Sequence, residues 1–346
     1  MEAGAGARAA PACPYLGYTK DGNLATISHF KALQARLRSP IEVRFLLRRA
    51  LGGLFSLWGA VTIVFLMLYA TGNPAEVLAP ETATAEQVAE LARQYGFDQP
   101  IYLQYRNFLV NIMQGNFPNS LYTGRPAFQE VLYRVPNTLL LGLTAVVLGA
   151  LLGLVVGYVS SSGRSRIMRV VPIRLLMILQ SVPNFFMGLL LIYFFSLTLR
   201  WLPTSGFSSW RNLILPITTL ACYVAPNVAR LFRSTMNEIR FEEHIQTARA
   251  KGISERAVRI RHNAINALGP VTTLIGLQLG GVLAGAVVVE TLFAYPGVGQ
   301  LLVQAVVSRD YPVALAAVIL VCLGYNIASL LVDVLVVIID PRAQKR

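Results

Sequence analysis

Charge is scarce in this chain. Only 14% of its 346 residues are Asp, Glu, Lys or Arg, and the acidic ones are the scarcer, 17 against 30 basic. Composition of this kind does not suit the solvated surface of a large soluble domain. Cysteine and histidine are rare too, three of each. Cys13, Cys222 and Cys322 are scattered, with neither a disulfide framework nor metal-ligand spacing. No His, Cys and carboxylate residues group into a metal site. No stretch fits G-x-x-x-x-G-K-[ST], so the chain carries no phosphate-cradling loop, and no nucleophile motif is present. These absences argue against a catalyst. No catalytic residue, no metal ligand and no bound cofactor is assigned to the chain.

What is there in excess is apolar. Hydrophobic residues make up 55% and the mean hydropathy is +0.55. They fall in blocks near the roughly 20 residues that a helix needs to cross a bilayer. The blocks are 50–70, 139–159, 175–199, 212–229, 267–289 and 311–332. The fourth is short and holds Pro216 and Pro226. The first is too long for a cleaved signal peptide and reads as an uncleaved anchor. Basic residues then alternate with the crossings. Segments 1–49, 160–174, 230–262 and 340–346 hold 23 Lys and Arg, and segments 71–138, 200–211 and 290–311 hold 7. The positive-inside rule places the first set in the cytosol. The expected fold is an all-α integral membrane protein with six transmembrane helices and both termini inside. The basic surplus faces lipid headgroups of the bilayer. Nucleic acid is not an expected partner, because these residues flank the spans instead of forming one face.

Residues 1–40 are expected to be a weakly ordered cytosolic tail, with 24–38 able to form a basic amphipathic helix on the membrane surface. Residues 41–346 form the six-helix domain, with an external loop over 72–136 and a cytosolic loop over 230–266. In the external loop Thr84 and Gln87 form a capping box. Val88, Leu91, Ala92 and Tyr95 follow at helical spacing, and Gly96 suits a left-handed stop. Tyr105, Phe108, Leu109 and Ile112 give a second apolar stripe, ending near Gly115. Gly149, Gly153 and Gly157 in the second span, and Gly276, Gly280 and Ala284 in the fifth, permit close helix approach. Such stripes serve packing within one chain or contact with another subunit.

Pro183, Pro216 and Pro226 lie inside spans, where they remove a backbone donor and can bend a helix. Gln180, Asn184, Asn227 and Gln278 are the polar candidates for a translocation pathway. Interhelical hydrogen bonding accounts for them equally well. Glu290 and Asp333 sit toward span ends. The lack of a formal charge at the midplane weighs against self-powered, ion-coupled transport.

The loop over 230–266 is the most informative stretch. Glu243, His244, Ile245, Gln246, Thr247, Ala248, Arg249, Ala250, Lys251 and Gly252 form a short polar helix ended by glycine. Phe241, Ile245 and Ala248 share one helical face. Glu242 and Glu243 suit the positive N-terminal end, and Arg249 and Lys251 the C-terminal end. Ser254 can cap a following helix that runs into the fifth span. These residues fit a bland surface helix and a coupling helix alike.

Thr247-Ala248-Arg249-Ala250-Lys251-Gly252, followed by Arg261-His262-Asn263-Ala264 and Pro270, resembles the cytosolic loop of bacterial ABC-importer permeases. The match is closest to the B-type permease subunit of the dipeptide/oligopeptide/nickel class. Gln246-Thr247-Ala248 stands where importers at large have Glu-Ala-Ala, which points to the peptide class. Tyr95 to Pro100 with Tyr105, Val289 to Phe293, Tyr295 to Gly299, Arg309 to Pro312, Leu331 to Asp333 and Asp340 to Arg342 resemble other parts of that class. Gly269, Asn73 and Asn116 depart from it. The resemblance spans about residues 44–343. It implies a type I ABC-importer permease fold in the bacterial inner (plasma) membrane. The implied partners are a second homologous permease subunit, two cytosolic ATPase subunits that hydrolyse ATP, and an external substrate-binding protein. It gives Glu243, Gln246, Thr247, Ala248, Arg249, Ala250, Lys251 and Gly252 the role of ATPase coupling. Di- or oligopeptides are the expected cargo, with nickel, glutathione, opines and oligosaccharides as alternatives. A channel or ion-coupled secondary transporter is the rival from another class.

Overall fold

The computed structural model describes residues 43–70, 75, 79 and 82–339. Cys13, His29, the 24–38 helix, Asn73 and the 340–342 motif lie outside the described residues. Helices account for nearly all regular structure. No strand occurs among the described residues beyond one isolated bridge, Asn119 to Pro126.

Eleven helices of eight residues or more are numbered here in chain order. They are α1 (Val43–Ala70), α2 (Ala85–Tyr95), α3 (Ile101–Met113), α4 (Ala127–Ser162), α5 (Arg166–Gln180), α6 (Asn184–Leu191) and α7 (Arg211–Ile239). Then follow α8 (Glu243–Ala250), α9 (Ile265–Leu292), α10 (Val298–Val307) and α11 (Tyr311–Ile339). Five stretches are long and apolar enough to cross a bilayer. They are α1, α4, α7, the continuous helical run ending in α9, and α11. A bent pair makes a sixth if counted as one span.

That pair corrects the expected third span. Residues 175–199 do not form one straight rod. The helix over Arg166–Gln180 and the one over Asn184–Thr198 meet at 107°. Pro183 supplies the reason: it takes an extended conformation (φ −57°, ψ 142°) as the residue before α6. It lacks an N–H, and its ring disfavours the helical region for Val182 before it. Pro216 and Pro226 behave differently, since α7 stays helical through both and runs past the expected 212–229. The helix α7 sits at the centre of the bundle, with 61% of its apolar window buried.

Close approach in this centre comes from glycine. A Cβ on Gly149, Gly153 or Gly157 of α4 would stand 3.0, 2.7 or 2.9 Å from the backbone oxygens of Ala221, Ala225 or Ala229 in α7. The stripe on α4 thus packs within the chain. Gly276 and Gly280 of α9 face Val332 and Tyr325 of α11 in the same way.

The two helices expected in the external loop are present. Thr84 and Gln87 make a reciprocal capping box, and Gly96 ends α2 at φ +73°. Ala92 is buried, with Val88 and Leu91 half-buried. The apolar stripe of α3 docks on α1, where the Phe65 ring lies 5.1 Å from Tyr105 and 5.6 Å from Phe108. The span α4 begins at Ala127, inside the loop expected over 72–136.

Candidate functional site

The polar segment after α7 folds as a bar tied down at two points. The helix α8 starts at Glu243 and is followed by Lys251 and Gly252, the latter at φ +77°. Ile245 is fully buried and Ala248 nearly so, both in the main core beside Met236, Ile239 and Val258. Phe241 does not share that face. It lies in the turn before the helix and is 75% exposed, because α7 ends at Ile239 and the chain changes direction there.

The second tie is ionic. Arg249 Nε donates to Glu255 Oε1 at 2.7 Å, and Arg249 Nη1 reaches the Arg240 carbonyl at 3.4 Å. Glu255 opens the next helix. Ser254 caps it by accepting from the Ala257 backbone N–H. One helical turn (Glu255–Ala257) and a π-helical segment (Val258–Ala264) then pass straight into α9. His244 Nδ1 lies 3.1 Å from Glu242, and its Nε2 is 3.3 Å from Asn266 Nδ2 at the base of α9. An ion pair, a packed face and a continuous backbone therefore join α8 to α9. Glu243, Gln246, Thr247, Ala250, Lys251 and Gly252 remain exposed.

The four pathway candidates are partly brought together. Gln180 Nε2 donates to Asn227 Oδ1 at 2.8 Å, and Arg230 Nη2 donates to Gln180 Oε1 at 2.8 Å. Asn227 also donates to the Tyr223 carbonyl. An antiparallel register sets Gly281 beside Tyr223 and Gly285 beside Leu220. One turn further along, that register brings Gln278 to the level of Asn227. Gln278 Nε2 is buried without a hydrogen-bond partner. Asn184 lies about two turns away along α9, its Nδ2 3.4 Å from a Cβ placed on Gly285.

One functional feature was not anticipated from the residues. Glu290, read as a charge near a span end, is fully buried. It accepts from Thr138 Oγ1 at 2.7 Å, Gly299 N at 2.7 Å and Gln300 N at 3.2 Å. The carboxylate thus caps the N-terminus of α10, where the helix dipole favours negative charge. Thr138 in turn accepts from Val298 N, Asn137 donates to the Pro296 carbonyl, and Tyr295 donates to the Asn137 carbonyl. Burial, with the Glu290 charge adding to it, pushes the Tyr295 phenol up to about 12, so it stays a donor. A Cβ on Gly297 would collide with the Glu290 carboxyl. Gly297, seven residues after Glu290 in sequence, was the available signal.

The architecture and this loop define a membrane permease core. The family described as the inner membrane component of binding-protein-dependent transport systems matches residues 145–345. The N-terminal region of the same membrane components matches residues 42–141. The chain belongs to this family, so it is an inner-membrane protein and not an enzyme, a permease subunit of the ABC-importer kind. Among relatives, it is 39% identical over 300 residues to the glutathione transport system permease protein GsiC of Salmonella choleraesuis strain SC-B67. That match covers 86% of this chain and 98% of the relative. The GsiC protein of Escherichia coli K12 is 38% identical over 304 residues, with the same coverage. Among solved structures, an inward-facing MetNI methionine ABC transporter matches at a TM-score of 0.52 and 19% identity. It covers 64% of this chain and 99% of that one, a likeness of fold.

Proposed function

We propose that this chain lines half of the translocation pathway of an ATP-driven importer of small peptides. The other half comes from a second homologous permease. ATP is hydrolysed by two cytosolic ATPase subunits, which push on the exposed face of α8. An external binding protein delivers the cargo against the outer helices α2 and α3. In this reading residues 230–266 are cytosolic and both termini lie inside. The observation that carries it is the double tie of α8, with Ile245 buried in the core and Arg249 bonded to Glu255 at 2.7 Å. A bland surface helix has no need of a rigid link to a span.

Alternating access requires two global states that the partners bias differently. The Gln180–Asn227–Arg230 cluster and Gln278 offer hydrogen-bonding groups at the junction of α5, α7 and α9, suited to a peptide's amides and carboxylates. Glutathione is the favoured cargo within the peptide class. Support comes from relatives of that name at 38–39% identity over most of the chain.

The test is uptake into proteoliposomes containing the chain, its encoded partner permease, ATPases and binding protein. ATP-dependent accumulation of glutathione or dipeptides is expected, and the isolated chain should transport nothing under an ion gradient in ATP-free vesicles. Uptake by the isolated chain under such a gradient would instead establish a secondary transporter. Cysteines placed at 180, 184 and 278 should react with water-soluble thiol reagents in the complex. Protection of all three would remove them from the pathway.

A further inference from the structure

Beside the α8 bar, and sharing its Arg249–Glu255 pair, lies a cleft. Its volume is about 200 Å³, and four arginines line it: Arg169 of α5, Arg240 after α7, Arg249 of α8 and Arg259 of the π-helical segment. Glu255 is the one carboxylate in the lining. It is held by Arg249. Arg259 is oriented by backbone oxygens, donating to Glu255 O at 3.2 Å and Ser162 O at 3.4 Å. Those contacts fix the guanidinium without neutralising it. Arg169 and Arg240 have no carboxylate within ion-pair reach among the described residues. Asn263 in the lining is 3% exposed, and its side-chain oxygen is buried without a partner.

Three positive charges in excess, one of them immobilised, is the chemistry of an anion site. Arginine forks match the oxygens of phosphate in particular. The cleft opens where α4 and α7 end and α5 begins, among the basic loops. Basic pockets between span ends on the cytosolic side are where anionic lipid headgroups dock.

We propose that this cleft is a phosphate site, filled by the headgroup of an anionic phospholipid or by a free phosphate. It extends the function above without resting on it, because the binding measurement uses the chain without ATPases.

The full chain in detergent is titrated with short-chain phosphatidylglycerol, with phosphatidylcholine of equal length, and with inorganic phosphate. Binding is read from the shift in thermal unfolding midpoint. Stabilisation by phosphatidylglycerol or phosphate, and not by phosphatidylcholine, is expected. Each arginine contributes about fivefold to affinity at a membrane surface. Arg169→Gln with Arg240→Gln should therefore weaken binding about 25-fold. The lysine pair should retain most of it, which also controls for misfolding. Arg164→Gln with Arg166→Gln loses the same charge outside the cleft and should change affinity less than about twofold. Response to phosphatidylglycerol alone assigns the headgroup, and response to phosphate as well assigns a free anion. No response to either, or equal loss in both glutamine pairs, overturns the proposal. Unchanged anion binding in the Arg169→Gln, Arg240→Gln pair overturns it too.

Discussion

Replacing Gly252 tests the lever most directly. The residue stops α8 at φ +77°, and nothing lies within 4 Å of a Cβ built there. A substitution therefore acts through backbone conformation and not through a clash. An L-residue in the left-handed region costs about 1–2 kcal/mol, and asparagine bears it better than most. A β-branched residue stands at the upper end or beyond. That range is roughly 5- to 30-fold in the balance between the docked and released bar, and Gly252→Val should shift it by about 30-fold. Gly252→Ala should sit at the lower end, and Gly252→Asn near wild type although its side chain is as large as valine's. Two measurements in the complete transporter are needed: ATP-driven uptake, and crosslinking of a cysteine at position 247 to the ATPase in a background lacking Cys13, Cys222 and Cys322. Both should fall in the order asparagine, alanine, valine. If the valine variant matched wild type in both, or asparagine were as damaging as valine, the left-handed turn would not be the latch.

Further outcomes follow from particular contacts. Gly153→Ala places a methyl 2.7 Å from the Ala225 oxygen and should cost about 1–3 kcal/mol of thermal stability in detergent. Gly269→Ala, with open space around its Cβ, should gain about 0.5–1 kcal/mol in the same assay. Glu290→Gln weakens charge-assisted bonds to Gly299 and Gln300 and should lose about 1.5–3 kcal/mol, while an unchanged midpoint would show that the carboxylate does not hold α10. The exposed Ala294 sits at φ +46°, so Ala294→Gly should raise the unfolding midpoint by relieving about 1 kcal/mol of backbone strain. The purified chain should release no phosphate from ATP in a coupled assay, and activity copurifying with it through two orthogonal columns would contradict its family role.

Elements set by local chemistry were legible in the residues. The Thr84–Gln87 box, the Gly96 and Gly252 stops and the Ser254 cap all depend on neighbours within four positions, and each is present. The Gly149, Gly153 and Gly157 stripe was legible as a close-approach surface, although only the fold shows that its partner is α7. Proline was harder. Pro183 breaks its span while Pro216 and Pro226 do not, because the outcome depends on what surrounds the freed carbonyls. Glu290 was hardest, since its partners Thr138 and Gly299 come from different elements and only tertiary packing joins them. The same holds for the arginine cleft, whose lining spans residues 161 to 263.

The buried Glu290 knot has a mechanical consequence. It fastens the C-terminal end of α9, the short helix α10 and the Asn137–Thr138 step of α4 into one hydrogen-bonded block. Any rocking that opens the route across the membrane must then carry these three pieces as a single vane. The sharp elbow at Pro183, where two helices meet at 107°, lies outside that block.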